Sequence, residues 1–431
     1  MIYNREAETL PAGARAALQL ERLRQTRAWA VERVPFYRER LGGARVERLA
    51  DLAALPFTRK TDLREHYPFG LLAVPRHELA RVHASSGTKG KPTVVGYTAG
   101  DLDVWREAMA RVMVAAGARP GDMLHVAYGY GLFTGGLGFH DGAERLGMTV
   151  VPVSSGNTAR HHLLLQDFRP AGLGATPSFA LHIAESLAEQ GGDPRALGIR
   201  YGMFGAEPWT EGMRAALERA YGCQAYDTYG LSEIVGPGVA GECEARAGLH
   251  VCDDHFLPEI VDPGSGAPVA LGVEGELVLT TLTKRALPMI RYRTGDVTTL
   301  TTEPCACGRT SARIARIKGR ADDVLVVKGV NLYPSEVEAA LLGLEDLQPN
   351  YLLVVDRSTT LARLEVQVEP AALLLERCGG FQADHPLLGA LRRRVADRLR
   401  EVTGLTIEPT LVAPHTIPRS EGKAVRVVEK H

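Results

Sequence analysis

His83-Ala-Ser-Ser-Gly-Thr-Lys-Gly-Lys-Pro-Thr93 gathers hydroxyls, glycines and lysines into a segment too flexible to hold a helix. Such a loop suits phosphate. Hydroxyls and bared peptide N–H groups donate, glycines let the backbone close on an anion without a Cβ clash, and lysines add charge. It is not a Walker A loop, because only Thr88 and Lys89 separate Gly87 from Gly90, and Lys91 precedes Pro92. The plain alternative is a polar surface loop between two strands.

Working outward, 431 residues suffice for two or three domains with sizeable cores. Lysine plus arginine number 50 against 51 acidic residues, so a net charge of −1 gives no reason to expect nucleic acid or an anionic membrane as partner. Any phosphate binding must be local. No apolar run reaches membrane-spanning length and the N-terminus lacks a signal-peptide pattern, so a soluble, cytoplasmic protein is expected. Six cysteines are too few for a disulfide scaffold, and clustered ones suggest a metal.

From about residue 12 to 42 a helical pattern, interrupted by Pro35, carries an arginine-rich face that is expected to be solvated. Short apolar runs at Met123 to Tyr128, Thr149 to Val153, Gly172 to Ala175 and Ile199 to Phe204 alternate with helices at Asp101 to Ala116 and Pro177 to Gln190, which reads as α/β. His161 and His162 are expected at the surface. From about Leu249 the pattern turns to β, implying a smaller second sheet. Beyond Arg320 come a strand, a glycine turn, a helix from Pro334, a hairpin at Tyr351 to Asp356 and Leu361 to Val368, a helix near His385 to Val402 and a last strand at Thr406 to Val412. That is a compact α+β unit, so the expected division is 1–320 and 321–431.

Four further stretches stand in a telling order: Tyr229-Gly-Leu-Ser-Glu233, Tyr292-Arg-Thr-Gly-Asp296, Gly319-Arg-Ala-Asp-Asp323 and Pro418-Arg-Ser-Glu-Gly-Lys423. Together with SSGTKGKP they resemble the adenylate-forming enzymes, which include acyl-coenzyme A synthetases, adenylation domains and luciferases. AYGYGLFTGGLG, FGAEPWT, YGLSEIVGPGVA, DDHFLPEI and LPMIRYRT narrow the resemblance to the phenylacetate-coenzyme A ligase branch, over essentially the whole chain.

The resemblance implies a large N-terminal α/β domain with a smaller β region and a mobile small α+β C-terminal domain. It also implies an AMP-forming aryl-acid:coenzyme A ligase using ATP, magnesium and coenzyme A. Carboxylate attack on the α-phosphate needs charge neutralisation and positioning rather than a protein nucleophile. By resemblance Ser85, Ser86, Gly87, Thr88, Gly90 and Lys91 hold the β- and γ-phosphates. Ser232 touches the α-phosphate, Glu233 holds magnesium, and Asp296 accepts from the ribose hydroxyls. Gly205, Ala206, Glu207 and Tyr229 line the adenine site, with Asp227 and Arg320 assigned to the nucleotide as well. Lys423 sits between the acid carboxylate and the α-phosphate. Asp322 matches the hinge about which the small domain rotates, bringing the Lys328 to Asn331 turn to the thiol site.

Tyr128, Tyr130, Phe133, Gly135 and His140 are the expected aryl pocket, since aromatic walls and glycines leave room for a flat ring. The alternative is that the aromatics pack a strand end. Lys89 stands where the family more usually has threonine, and Phe139 and Asp141 flank His140 as a second departure that could reshape the pocket. Cys243, His250, Cys305 and Cys307 form a possible structural zinc set, with Cys252 the rival for one place and free thiols the alternative. A homodimer is common in this branch. Two other classes stay open: an adenylyltransferase acting on a deazaflavin cofactor or another aryl acid without coenzyme A, and a non-catalytic adenylate-binding protein.

Overall fold

The alternating apolar runs and helices build a nine-stranded sheet in this computed structural model, which describes residues 1–85, 91–321, 324–327, 330–356, 363–420 and 424–430. Its parallel half orders Thr149–Pro152, Met123–Val126, Gly172–Ala175, Tyr201–Gly205 and Gln224–Leu231. Antiparallel strands Gly236–Glu242, Leu249–Val251, Arg313–Ile314 and Leu300–Thr301 continue it. Strands buried on both faces read as short apolar runs rather than alternations, and that is how these were legible. In a sheet of this kind ligands collect where the parallel strands end.

Helix Pro177–Glu189 is capped by Thr176, whose Oγ1 accepts from the Phe179 N–H at 3.4 Å. Helix Ala99–Ala115 carries a capping box of Thr98 and Asp101. Helix Ala12–Arg33 ends before Pro35, which opens Pro35–Leu41 at a position where its missing N–H costs nothing.

The arginine-rich face of Ala12–Arg33 is not simply solvated, contrary to expectation. Arg15 is buried and ion-paired with Asp253, and Arg22 lies 3.5 Å from Asp254. Arg24 and Arg27 donate to the carbonyls of Val46 and Leu41 at 2.8 and 2.6 Å. Arginine stems cover apolar surface while the planar head satisfies several acceptors, so arginines can serve as glue. His161 and His162 are likewise buried, not at the surface. His161 meets His125 at 2.8 Å and His162 meets the Ile183 carbonyl at 3.1 Å, because helix Thr158–Phe168 turns that face onto Pro177–Glu189.

A second sheet orders Phe256–Val261, Gly275–Thr281, Tyr292–Thr298 and Gly319–Arg320. After it, strands Pro409–Leu411, Arg363–Pro370, Leu347–Asp356 and Val427–Lys430 make another four-stranded sheet, covered by helices Pro334–Leu341 and Pro386–Thr403. Its core includes Leu353, Val366, Leu388, Val395 and Leu399. Val427–Lys430 was not expected from sequence; it is short and mostly exposed, and it pairs parallel to the distant Leu347–Asp356.

Candidate active site

The loop of the opening stretch is carried by a hairpin in which Arg81–Ser85 pairs with Thr93–Tyr97, with Ser85 opposite Thr93. Ser86, Gly87, Thr88 and Gly90, like Lys89, lie outside the described residues, as do Asp322, Lys328, Gly329 and Lys423. What remains is informative. The buried Ser85 Oγ and Thr93 Oγ1 have no partner among the described residues, and a buried hydroxyl left unpaired at the mouth of a loop suits an incoming anion. Lys91 holds its ammonium 5.2 Å from the Tyr67 ring.

At the end of strand Gln224–Leu231 the chain turns through Ser232 to Val235, closed by the Ile234 and Val235 N–H groups donating to the Leu231 carbonyl, each at 3.1 Å. Ser232 Oγ lies 3.1 Å from Thr134 Oγ1. Glu233 is buried, and its carboxylate sits 3.4 Å from the Lys60 ammonium. A buried carboxylate with one cation beside it fits a hard divalent ion held jointly with phosphate oxygens. Sequence reading missed Lys60, whose only local signal is a lysine in the first turn of helix Lys60–Glu65.

Three expected nucleotide residues come together. The Tyr229 hydroxyl donates to Asp296 at 2.5 Å, Arg320 lies 3.6 Å from the same carboxylate, and Asp296 faces Arg320 across the sheet. Burial, then the Asp296 charge, pushes the Tyr229 phenol well above its usual range, so it stays a donor. Gly205 closes strand Tyr201–Gly205, where a Cβ would stand 2.1 Å from the Thr228 carbonyl, and Ala206 takes the left-handed region at φ 68°. Glu207 bridges two segments: one oxygen accepts from the Ser178 N–H and the other from the Ala424 N–H, both at 2.8 Å. The segment after Lys423 is thereby tied to the large sheet. Nearby the Thr210 hydroxyl donates to Glu338 at 3.1 Å. Asp227 lies deeper, with burial pushing its carboxyl up to about 6 against Arg316 at 3.3 Å.

Around the expected aryl pocket, Tyr128 is only 3% exposed and stacks on Phe139 with ring centroids 4.7 Å apart. Tyr130 meets His140 at 3.3 Å, and His140 meets Glu144 at 3.1 Å. At Gly135 a Cβ would lie 2.7 Å from the Phe133 ring, so glycine lets that ring lie on the helix start. Phe139 is core, and Asp141 is bound to Arg81 at 2.6 Å.

Away from the cleft, Cys243, His250, Cys305 and Cys307 bring four donor atoms within 4.8 Å of one another. Cys243 Sγ and Cys305 Sγ stand 3.7 Å apart, and Cys307 Sγ lies 3.4 Å from His250 Nε2. The thiols are free, and burial pushes Cys243 up to about 12. His250 Nδ1 meets Ser311 at 3.1 Å, which orients the ring as an outer partner of a metal ligand does. Three thiols and an imidazole at this spacing fit a tetrahedral metal. Cys252 is buried with its sulfur 3.9 Å from the Ala108 carbonyl and is not in the set.

Residues 28–282 match the family model described as AMP-binding enzyme, and 329–431 match the AMP-binding enzyme C-terminal domain. A phenylacetate-coenzyme A ligase of Thermus thermophilus is 53% identical, covering 99% of this chain and 99% of that one. One of Escherichia coli is 48% identical, covering 98% and 96%. Among solved structures, 2-hydroxyisobutyryl-CoA ligase in the postadenylation state with R3-HIB-AMP superposes with a TM-score of 0.93 at 33% identity, covering 100% of this chain and 92% of that chain. The same ligase in the thioesterification state with 2-HIB-AMP and CoA gives 0.72 at 34% identity, covering 98% and 91%. The chain belongs to the AMP-binding, adenylate-forming enzyme family.

Proposed function

We propose that this protein is an AMP-forming aryl-acid:coenzyme A ligase acting on phenylacetate or a close relative. The observation that carries this reading is the end-to-end similarity to curated ligases of that name. The acid's carboxylate oxygen attacks the α-phosphorus of ATP, the bond to pyrophosphate breaks, and acyl-AMP forms. The sulfur of coenzyme A then attacks the acyl carbonyl, giving the thioester, AMP and a proton.

In this reading Ser85 to Lys91 grip the departing pyrophosphate, Ser232 donates to the α-phosphate, and Asp296 orients the ribose with Tyr229 and Arg320 behind it. Magnesium, when bound, neutralises phosphate charge, and Glu233 is the residue that would hold it. Lys60 offers a second cation beside Glu233. Lys423 stabilises charge on both reacting oxygens. Tyr130, Phe133, Gly135 and His140 form the acid pocket, with Tyr128 as its packed wall. Residues 1–320 bind nucleotide and acid; 321–431 carry the lysine and rotate about Asp322.

The higher TM-score with the postadenylation relative supports a docked arrangement for adenylate chemistry, and the Glu207 link to Ala424 gives that arrangement a physical contact. The Cys243, His250, Cys305 and Cys307 set is read as a closed structural zinc site. The deciding experiment is a panel of aryl and aliphatic acids scored for pyrophosphate with and without coenzyme A. Phenylacetate-dependent pyrophosphate release with coenzyme A consumption supports the ligase. Release without coenzyme A use with any acid supports an adenylyltransferase, and no turnover despite ATP binding supports a binder.

A further inference from the structure

Behind the Ser232 to Val235 turn, two buried side chains collect its carbonyl oxygens. The Tyr97 hydroxyl reaches the carbonyls of Ser232 at 3.0 Å and Val235 at 3.2 Å. Lys284 donates from its ammonium to the carbonyls of Glu233 at 3.1 Å and Ile234 at 2.6 Å. Every carbonyl of the turn is thus engaged from the interior, while Ser232 Oγ and the Glu233 carboxylate meet Thr134 and Lys60. Tyr97 is itself fixed, stacked on Trp105 at 5.3 Å on one side and facing the Lys284 ammonium at 4.6 Å.

Lys284 is 5% exposed, its ammonium donates to peptide carbonyls and faces a ring, and burial pulls it down to about 8 although the Asp101 and Glu233 carboxylates favour its charge. Burying an ammonium this way is costly, and an apolar side chain of similar size commonly serves stability as well or better. The next two peptide N–H groups, of Arg285 and Ala286, are pinned by Asp101 at 2.6 and 2.9 Å, so the lysine springs from a fixed backbone. Its reach to the turn is therefore set by the core, not by the cleft.

We propose that Lys284 is a positioning residue for acyl-AMP formation, holding the peptide groups of Glu233 and Ile234 so that Ser232 and Glu233 stand preorganised for the α-phosphate and its metal. This rests on the roles given to Ser232 and Glu233 above. Preorganised dipoles and charges act without reorganisation cost during reaction, and a small misplacement of such groups lowers rate more than binding.

The test is Lys284→Met in the full chain. Its kcat for acid-dependent pyrophosphate release is expected to fall about 100-fold, with a smaller change in KM for MgATP. Thioester formation from supplied acyl-AMP, which needs no metal-held pyrophosphate, falls much less. In protein without nucleotide, amide hydrogen exchange at Ile234 and Val235 speeds up, a readout independent of turnover. Equal loss of both half-reactions, or unchanged exchange together with unchanged kcat, overturns the proposal. Should the methionine variant fail to fold, Lys284→Gln decides: it removes the ammonium but keeps a polar head, so faster exchange at Ile234 and Val235 with a lowered kcat supports the proposal, and wild-type exchange with wild-type kcat overturns it. A wild-type enzyme without any acid-dependent pyrophosphate release sinks the functional reading instead, while the exchange comparison still judges the hold of Lys284 on the turn.

Discussion

The four-donor cluster and the reaction cleft use the same large sheet in opposite ways. The cluster takes Cys243, His250, Cys305 and Cys307 from strands or turns that are neighbours in one sheet, so strand register alone brings the donors together. The cleft draws Lys60 from a helix, Ser85 from a hairpin, Glu233 from the large sheet, Asp296 from the second sheet and Ala424 from the C-terminal segment. One site is local to a single sheet. The other depends on a few hydrogen bonds between separately packed parts, which is what a site that must serve two half-reactions requires.

The largest expected effect comes from removing the lysine proposed for acyl-AMP formation. Lys423→Ala should lower acyl-AMP formation by about 1000-fold or more while thioester formation from supplied acyl-AMP survives. Parallel loss of both, measured by pyrophosphate release and thioester yield, breaks the contrast between moving and fixed parts. Next comes the closed site. Cys305→Ser, or exhaustive chelation, should remove about one zinc per chain and lower Tm by about 5 °C or more, with both half-reactions declining together. Protein purified without chelator that contains no zinc contradicts the assignment.

A smaller effect is expected for Glu207→Gln. It takes the charge from one acceptor of the docked arrangement, about 1.5–3 kcal/mol at most, so adenylation should fall by up to about 10- to 150-fold with thioester formation spared. Smallest is a pH effect. Burial pushes the Glu185 carboxyl up to about 7 from 4.5, with Arg419 opposing and Asn350, Glu189 and Glu369 nearby. Its neutral form is favoured when the C-terminal part is docked. Docking therefore takes up a proton: it is unpenalised below pH 4.5, weakens as pH rises toward about 7, and is constant above. The ratio of adenylation to thioester rates should decline modestly across that window, and Glu185→Gln should flatten the profile. An unchanged profile removes Glu185 from the docking account.

The sequence made local matters legible. Gly172–Ala175 and the break at Pro35 each rest on a few adjacent residues, and the structure has them as expected. The meeting of Tyr229, Asp296 and Arg320 was legible through the family resemblance that residue order carried, and that of the three cysteines and His250 through residue type. What escaped was decided by partners far along the chain. Arg15 finds Asp253, His161 finds His125, Lys60 finds Glu233, and Glu207 finds Ala424. Lys284 reads as one more surface lysine until the turn it supports folds over it. No periodicity or motif announces such contacts, whose partners stand from 36 to 238 positions apart.

A reaction split by an acyl-adenylate leaves one signature, acid-dependent exchange of labelled pyrophosphate into ATP without coenzyme A. Exchange is expected to require phenylacetate or the preferred acid, and magnesium, but no thiol. Exchange that appears only when coenzyme A is present would contradict it.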